Sequence, residues 1–469
     1  MRVAAVDQGT TSTRCLVVED GGKARVAASI RHAQHHPAPG RVEHDPEELL
    51  QNIRSVLDAA GPVDAIAIAN QGESCLAWDA KTGKALHPVI VWQDARTARE
   101  LEALGAAAEA RSKAVCGLPL DPYFSASKMA WLLKNVPAVS EAHTQGRLRL
   151  GTTDAFFLDR LCGSFRTDLA TASRTGLLDL AKGSWSAEMC ELHGVPLECL
   201  PEIAPVDGGF GLLGGTPVKV SIVDQQAALY GHGCRMPGDC KITFGTGAFL
   251  LAVSGNERPE VEGLLPTIAW KEQGKPAVFA IEGGVYDAGA ALEWARSAGF
   301  FADVGELDAF DGPSALSRGI VFVPALSGLA APYWDREAAP LLIGMDHATS
   351  RRDLARAVLE GIAMLTVGLI DEAARSAGVG KTISIDGGIS QSAYFAQFLA
   401  SASRRTIVVP AMFELTALGL AELAGIDCAP ARATTRTFLP DSTVSDADRR
   451  RFTRAVERAR GWREGVAGD

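Results

Sequence analysis

The sequence predicts an α/β protein built from two similar lobes, and three short segments far apart in the chain are the main reason. They are residues 6–14, 244–247 and 385–388. In each segment, a turn of small residues with hydroxyl or carboxylate side chains directly follows an apolar, β-branched run. Such turns leave backbone N–H groups free to bind phosphate oxygens, and Thr or Ser hydroxyls can join them. Together the turns indicate a nucleotide held between two lobes.

The first two of these segments also resemble each other. Residues 1–19 and residues 240–253 each read as a strand, a Gly-Thr turn and a second strand. Self-similarity of this kind indicates a duplicated unit. A single Gly-Thr turn is common in hairpins and predicts little, so the prediction depends on the pair.

The length of the chain supports the same organisation. At 469 residues it is too long for one hydrophobic core and fits two domains. We predict a first lobe over residues 1–232, a second lobe over residues 233–430 and a helical extension over residues 431–469.

Composition and charge exclude several classes of partner. The chain is 47% hydrophobic and 22% charged, which is ordinary for a globular protein, and its net charge is −10. A negative balance argues against nucleic acid or a membrane surface as a partner. No run approaches the ~20 apolar residues of a membrane span, so we expect no membrane insertion. A homo-oligomer is compatible with the sequence.

The cysteines indicate the cellular compartment of the protein. The nine cysteines are scattered and lack Cys-x-x-Cys spacing, which favours reduced thiols over a disulfide scaffold or a zinc site. The N-terminal apolar run is cut short by Asp7 and does not read as a signal peptide. We therefore expect a cytoplasmic protein.

The elements of the first lobe follow from local signals. Residues 2–30 are β-rich, and Asp45 followed by Pro46 predicts the start of a helix. Residues 63–69 form a short apolar strand that leads directly into residues 70–73. Because ligands bind at the carboxyl ends of strands in open α/β sheets, we expect residues 70–73 in a binding site. Residues 221–223 likewise form an apolar strand that is followed directly by a carboxylate, Asp224.

These residue types suit phosphoryl transfer. That reaction needs positioning, charge neutralisation and a carboxylate that accepts the hydroxyl proton. Asp7, at the end of the first strand, can hold Mg²⁺ directly or through water. Asp224 is the candidate base. The alternative is that Asp224 caps a helix, and its place just ahead of the second phosphate turn favours catalysis.

Longer motifs carry a family resemblance. Residues 123–135 match one signature of the FGGY carbohydrate kinases, and residues 344–360 match the second. The second signature also covers Pro340, which stands where a small residue is usual. The chain resembles this family from Met1 to about Gly425. The resemblance implies two ribonuclease-H-like lobes of the actin/hexokinase type around a central nucleotide cleft. It also implies ATP with Mg²⁺ as cofactors and a small polyol or sugar as acceptor, with glycerol as the leading candidate.

The resemblance also assigns residues by matching position. The nucleotide would be bound by Thr10, Thr11, Ser12, Arg14, Gly245, Thr246, Gly289, Gly388 and Ser392. The acceptor would be bound by Gly72, Glu73, Trp92, Tyr123, Asp224, Gln225 and Phe249.

One departure from the family pattern matters greatly. Gly72 stands where the family has an arginine that donates to the acceptor hydroxyls, so we expect Glu73 to lack a cationic neighbour. Three interpretations stay open here. The enzyme still uses glycerol, it accepts a longer polyol or sugar that fills the vacant space, or it is a non-catalytic nucleotide-binding protein of the same fold.

Overall fold

The computed structural model describes residues 1–412, 414–433 and 435–463. Its first lobe is built on a six-stranded sheet. In spatial order the strands are Leu212–Leu213, Thr216–Val223, Ala65–Asn70, Arg2–Gln8, Ser12–Glu19 and Lys23–Arg31. The central strand, Arg2–Gln8, pairs antiparallel with Ser12–Glu19 and parallel with Ala65–Asn70.

The second lobe repeats this arrangement in a seven-stranded sheet. In spatial order the strands are Leu265–Trp270, Val278–Val285, Ala248–Gly255, Cys240–Phe244, Thr382–Gly387, Thr406–Pro410 and Thr435–Phe438. Cys240–Phe244 pairs antiparallel with Ala248–Gly255 and parallel with Thr382–Gly387, as the central strand of the first sheet does with its own neighbours. The predicted duplication is therefore present in the topology.

Shorter strands complete the β-structure. A four-stranded sheet contains Glu43–His44, Val89–Ile90, Cys75–Asp79 and Leu148–Thr152. Two-stranded pairs are Leu178–Asp179 with Ser184–Trp185, Glu202–Ala204 with Arg166–Asp168, and Val321–Val323 with Leu341–Ile343.

Helices flank both sheets. In the first half of the chain they are Pro46–Ala60, Ala98–Glu102, Gly105–Cys116, Ser125–Asn135, Pro137–Thr144, Thr153–Cys162, Leu169–Ala172, Ala187–His193 and Asp224–Gly231. In the second half they are Gly289–Ser297, Arg351–Ala377, Ala393–Ser403, Leu415–Leu423, Ala429–Arg432 and Asp446–Ala459. Short 3₁₀ segments are Leu197–Cys199, Val304–Leu307 and Ile389–Gln391. Over the described residues, no helix is both long and apolar enough to cross a membrane.

The predicted start of the first long helix is confirmed. The Asp45 side chain accepts hydrogen bonds from the Glu47 and Glu48 amides, with Pro46 at the first helical position. Leu49 and Ile53 are fully buried and belong to the same cluster as the first-lobe sheet. The cap and the apolar stripe thus orient the helix on the sheet.

Between the lobes, two helices cross so closely that their backbones are in contact. Asp224–Gly231 packs against Leu415–Leu423, and the latter also lies against the first-lobe strands Arg2–Gln8 and Ala65–Asn70. A Cβ at Gly419 would lie 1.9 Å from the Ala227 carbonyl oxygen. The close approach is therefore possible only with glycine at this position.

The last helix differs in extent from the prediction. The sequence predicts a helical extension over residues 431–469, whereas its long helix spans only Asp446–Ala459. Its Phe452 and Val456 are buried in the main hydrophobic cluster of the second lobe. The helix is therefore packed on that lobe and contributes to its core.

Candidate active site

The first phosphate-binding turn follows the central strand of the first sheet. The Thr10 hydroxyl accepts a hydrogen bond from Trp92 Nε1 at 2.9 Å, and His32 Nε2 lies 2.9 Å from the Thr10 carbonyl oxygen. Gly9 N donates to Ser12 O at 3.0 Å. The turn is held from both sides, so its shape is set before any ligand binds.

Asp7 lies just before this turn. Burial raises the pKa of Asp7 to about 6; Glu414 adds to the rise and Arg14 opposes it. Arg14 is itself paired with Glu414. An anion that displaced Glu414 would therefore gain a guanidinium at the position where the sequence predicts a phosphate contact.

The second turn is braced by the start of a helix. Ala288 N and Ala290 N donate to Thr246 O, each at 3.0 Å, and Gly289 N donates to Gly245 O at 3.1 Å. A Cβ on Gly289 would lie 2.5 Å from the Gly245 oxygen. Gly245 and Thr246 are exposed, which leaves the turn accessible to a ligand.

The third predicted segment contains a charge cluster that the sequence analysis missed. Asp386 lies 3.3 Å from His232 Nε2. Burial opposes ionisation of Asp386, but His232 and Lys241 outweigh it and lower the pKa. Lys241 is fully buried and donates to Gln225 Oε1 at 2.6 Å and to Thr243 Oγ1 at 3.0 Å. Because an oxygen of Gln225 is held in this way, its amide group is fixed in orientation.

Two of the predicted nucleoside residues, one at the end of this segment and one just after it, have different surroundings. Ser392 Oγ donates to Leu307 O at 2.9 Å and accepts from Phe395 N at 3.2 Å, so it caps the helix Ala393–Ser403. At Gly388 nothing lies within 4 Å of where a Cβ would be, so the backbone there faces open space.

The predicted acceptor residues line one cavity. It has a volume of about 110 Å³. Its walls are Thr10, Gly72, Glu73, Trp92, Tyr123, Arg174, Val223, Asp224, Gln225, Gln226, Phe249 and Glu282. All seven residues matched to the acceptor are among them, and so is Thr10 from the first phosphate turn. The cavity is small beside the several hundred Å³ typical of drug-sized ligands, so it suits a compact molecule.

Asp224 belongs to the first turn of a helix and does not cap it. Val223 occupies the cap position, and Asp224 Oδ1 accepts from the Gln225 amide at 2.7 Å. Burial raises the pKa of Asp224 to about 8, and the nearby carboxylates of Asp7 and Glu73 add to the rise. A carboxyl group with a pKa in this range can exchange a proton near neutral pH.

Glu73 corrects one of our expectations. The prediction that it lacks a cationic neighbour is wrong, because Arg174 Nε donates to its Oε1 at 2.8 Å. Arg174 comes from the turn after the helix Leu169–Ala172, more than a hundred positions along the chain. Glu73 also has a φ of 57°, in the left-handed region that non-glycine residues rarely adopt. Strained backbone of this kind is concentrated at functional sites.

Arg174 and Glu282 are the acceptor-site residues that sequence reasoning missed. Arg174 Nη1 lies 2.9 Å from Glu282 Oε2, and the guanidinium is only 2% exposed. The available signal was an arginine inside an apolar segment, residues 169–180. Buried charges are normally paired, so such an arginine predicts a carboxylate partner, although not which one.

The donor set of this site fits a magnesium ion. Asp7 and Asp224 are half-buried, both have raised pKa values, and the charge of Asp7 contributes to the shift of Asp224. Carboxylate oxygens are the ligands that Mg²⁺ prefers, and a divalent cation would offset this unbalanced negative charge.

A two-lobed α/β fold with a predicted phosphate-binding turn on each sheet, and a half-buried carboxylate between them, is the arrangement expected of a nucleotide-dependent phosphotransferase. Residues 2–231 match the N-terminal domain of the FGGY family of carbohydrate kinases, and residues 240–428 match the C-terminal domain. The chain belongs to this family and is an ATP-dependent carbohydrate or polyol kinase.

Individual relatives cover nearly the whole chain. A glycerol kinase of Thermus brockianus is 41% identical over 98% of both chains, and one of Thermococcus onnurineus is 37% identical over 98% of both. A crystal structure of Plasmodium falciparum glycerol kinase with ADP has a TM-score of 0.90 at 28% identity, covering 98% of each chain. A ligand-bound xylulose kinase from Lactobacillus acidophilus, at 21% identity, shares the fold with a TM-score of 0.86.

Proposed function

We propose that this protein transfers the γ-phosphoryl group of ATP to a primary hydroxyl of glycerol, forming glycerol 3-phosphate. One observation carries the proposal: Thr10 of the first phosphate turn and Asp224 line the same small cavity as the residues matched to the acceptor. A phosphoryl group held by that turn would thus lie next to an acceptor hydroxyl. The glycerol kinases named above share 37–41% of their residues with this chain and support glycerol as the acceptor.

We assign Asp224 the role of general base. As the acceptor oxygen attacks the γ-phosphorus, its proton passes to the Asp224 carboxylate. Lys241 holds the side-chain oxygen of Gln225 beside it, which leaves the amide nitrogen of Gln225 available to the acceptor. The edge-to-face pair of Trp92 and Tyr123, with ring centroids 5.5 Å apart, forms an apolar wall for the polyol carbons.

The nucleotide would occupy the two phosphate turns. Thr10, Thr11, Ser12 and Arg14 would contact the phosphates from the first lobe and Gly245 and Thr246 from the second. Gly289, Gly388 and Ser392 would adjoin the nucleoside. Mg²⁺ held through Asp7 would neutralise phosphate charge during transfer.

We further propose the domain limits 1–232, 233–430 and 431–469. We also infer a reducing compartment such as the cytoplasm. The nine cysteines are all unpaired, and burial raises the pKa of thiols such as Cys15 and Cys75 to about 12, which keeps them unreactive.

A second candidate acceptor is a longer polyol or sugar. A neighbouring cavity, also of about 110 Å³, shares Tyr123, Arg174, Phe249 and Glu282 with the first. Additional carbon atoms could extend into it.

The test is a screen of ADP release from ATP–Mg²⁺ with glycerol, erythritol, xylitol, xylulose and gluconate. We expect glycerol to give the highest kcat/KM. A higher kcat/KM for a five-carbon acceptor would replace glycerol with the longer class, and ADP release that no acceptor stimulates would contradict the proposal.

A further inference from the structure

The acceptor cavity contains a cation, Arg174, in its wall. Arg174 is buried, its Nε donates to Glu73 at 2.8 Å, and its Cζ lies 5.5 Å from the centre of the Phe124 ring. The guanidinium is therefore held in place by a carboxylate and an aromatic face, and it has little freedom to move when a ligand binds.

Two of its nitrogens make no hydrogen bond to the described residues, although Nη1 forms an ion pair with Glu282. Nη1 lies 2.9 Å from a Glu282 oxygen but outside hydrogen-bond geometry, and within the part of the chain that the structure describes neither Nη1 nor Nη2 has a hydrogen-bond partner. Buried donors on a charged group are costly to leave unpaired. Because Arg174 lines the cavity, a ligand oxygen there would pair them.

Position 72 provides no such donor. Gly72 has no side chain, and a Cβ built on it would lie 3.0 Å from Val223 Cγ2. The Gly72 side of the cavity can therefore make only backbone and apolar contacts. A donor for the hydroxyls that are not phosphorylated has to come from elsewhere on the walls.

We propose that Arg174 binds the non-reacting hydroxyl groups of the acceptor and so performs the recognition that position 72 cannot provide. With the reacting hydroxyl at Asp224, the distal hydroxyl accepts from Arg174 Nη1 or Nη2. Arg174 also lines the neighbouring cavity, so this contact is made at the boundary between the two spaces. Selectivity then depends on a distal hydroxyl at this boundary. This inference rests on the proposed kinase function.

The experiment compares glycerol with 1,2-propanediol, which lacks the distal hydroxyl, at saturating ATP–Mg²⁺. In the wild-type protein we expect kcat/KM for glycerol to exceed that for 1,2-propanediol by roughly 10- to 100-fold, the usual effect of one hydrogen bond to a charged group. The test variant is Arg174→Gln combined with Glu282→Gln, because this pair keeps the net charge of the cluster unchanged.

In the double variant we expect the preference to fall to about threefold or less, mainly through a higher KM for glycerol, with KM for ATP changed less than about twofold. Arg166→Gln, which breaks an exposed pair with Glu202, is the matched control and should keep the wild-type preference. A double variant that keeps the full preference would overturn the assignment of Arg174 while leaving the proposed function intact.

Two further outcomes are decisive. If the double variant does not fold, Arg174→Lys takes its place, since it keeps the charge but loses the planar fork. Its glycerol preference should drop at least about threefold, and an unchanged preference would contradict the inference. Wild-type protein that phosphorylates neither glycerol nor the diol would instead refute the proposed acceptor, and the inference with it.

Discussion

At the scale of single residues, the proposed chemistry depends on half-buried carboxylates that the fold brings close together. Asp224 is destabilised as an anion by burial and by Asp7 and Glu73, which raises its pKa to about 8. Such a group is costly to the folded state and useful as a proton acceptor. Stability and catalysis should therefore respond to its removal in opposite directions.

Asp224→Asn tests this opposition directly. The amide keeps the size but cannot accept the proton, so kcat should fall by roughly 10²–10⁴-fold. Removing a buried carboxylate should raise the free energy of unfolding, by up to about 4 kcal/mol at pH 7 given the pKa shift. Coupled-assay kinetics and thermal unfolding measure the two effects. Near wild-type turnover would move the base elsewhere, with Glu73 next.

The pH profile provides a second test at this scale. The raised pKa leaves Asp224 mostly protonated below pH 8 in the free enzyme. We expect kcat/KM for the acceptor to rise about tenfold per pH unit below that value and to level off above it. The pH dependence of stability has the opposite sign to that of kcat/KM. Because the folded-state pKa exceeds the unfolded value, the contribution of Asp224 to stability declines as pH rises from about 4 to 8. A flat rate profile between pH 6 and 8 would contradict the assignment.

At the scale of elements, the second phosphate turn depends on one glycine in the neighbouring helix. Gly289 begins the helix Gly289–Ser297, and its missing side chain lets Gly245 O approach the helix N-terminus. The turn and the helix end are therefore built as one unit, in which the first amides of the helix hold the turn carbonyls and fix the shape of the proposed phosphate contact.

Gly289→Ala should displace this turn. A Cβ only 2.5 Å from the Gly245 oxygen forces one of the two segments to move. We expect KM for ATP to rise about tenfold or more and stability to fall by about 1–3 kcal/mol, while KM for the acceptor stays within about twofold. Initial rates with ATP varied at saturating acceptor measure the effect. An unchanged KM for ATP would show that the turn does not bind the nucleotide.

At the scale of the whole molecule, the two lobes share a hydrophobic core. One buried cluster combines Val3 and Leu16 of the first sheet with Leu251 and Ile268 of the second and with Leu418 of the crossing helix. The crossing of Asp224–Gly231 with Leu415–Leu423 lies in this cluster, and its first helix begins with Asp224. A substitution at the crossing should therefore also affect the candidate active site.

Gly419→Ala tests the crossing. The new methyl group would overlap the Ala227 carbonyl oxygen, so the helices must separate, which should cost about 1–3 kcal/mol or more. Because Asp224 begins one of the helices, kcat should also fall. Gly368→Ala, in the long helix Arg351–Ala377, is the matched control, since its Cβ would make an ordinary 3.6 Å contact with Tyr333 Oη. Thermal unfolding compares the two, and equal melting temperatures would contradict the packing argument.

The class of fold and most of the residues that line the candidate site could be predicted from the sequence. The phosphate turns, the helix start at Asp45 and the strand ends at Asp7 and Asp224 are local signals, each written in a few consecutive residues. Their physical basis is short-range: turn geometry, capping and the burial of apolar runs. For this reason the duplicated sheets follow from reading the chain in order, whereas the acceptor residues were assigned by position from the resemblance to the FGGY family.

Which charged side chains contact each other is visible only in the folded chain. Arg174 lies about a hundred residues from both Glu73 and Glu282 in sequence, yet pairs with both. The same is true of the close approach of Gly419 to Ala227. Electrostatic interactions and backbone contacts depend on distance in space, and no local pattern encodes which distant residues will be neighbours. The missing side chain at Gly72 can therefore be read from the sequence, whereas the place of the Arg174 guanidinium in the wall of the same cavity is visible only in the folded protein.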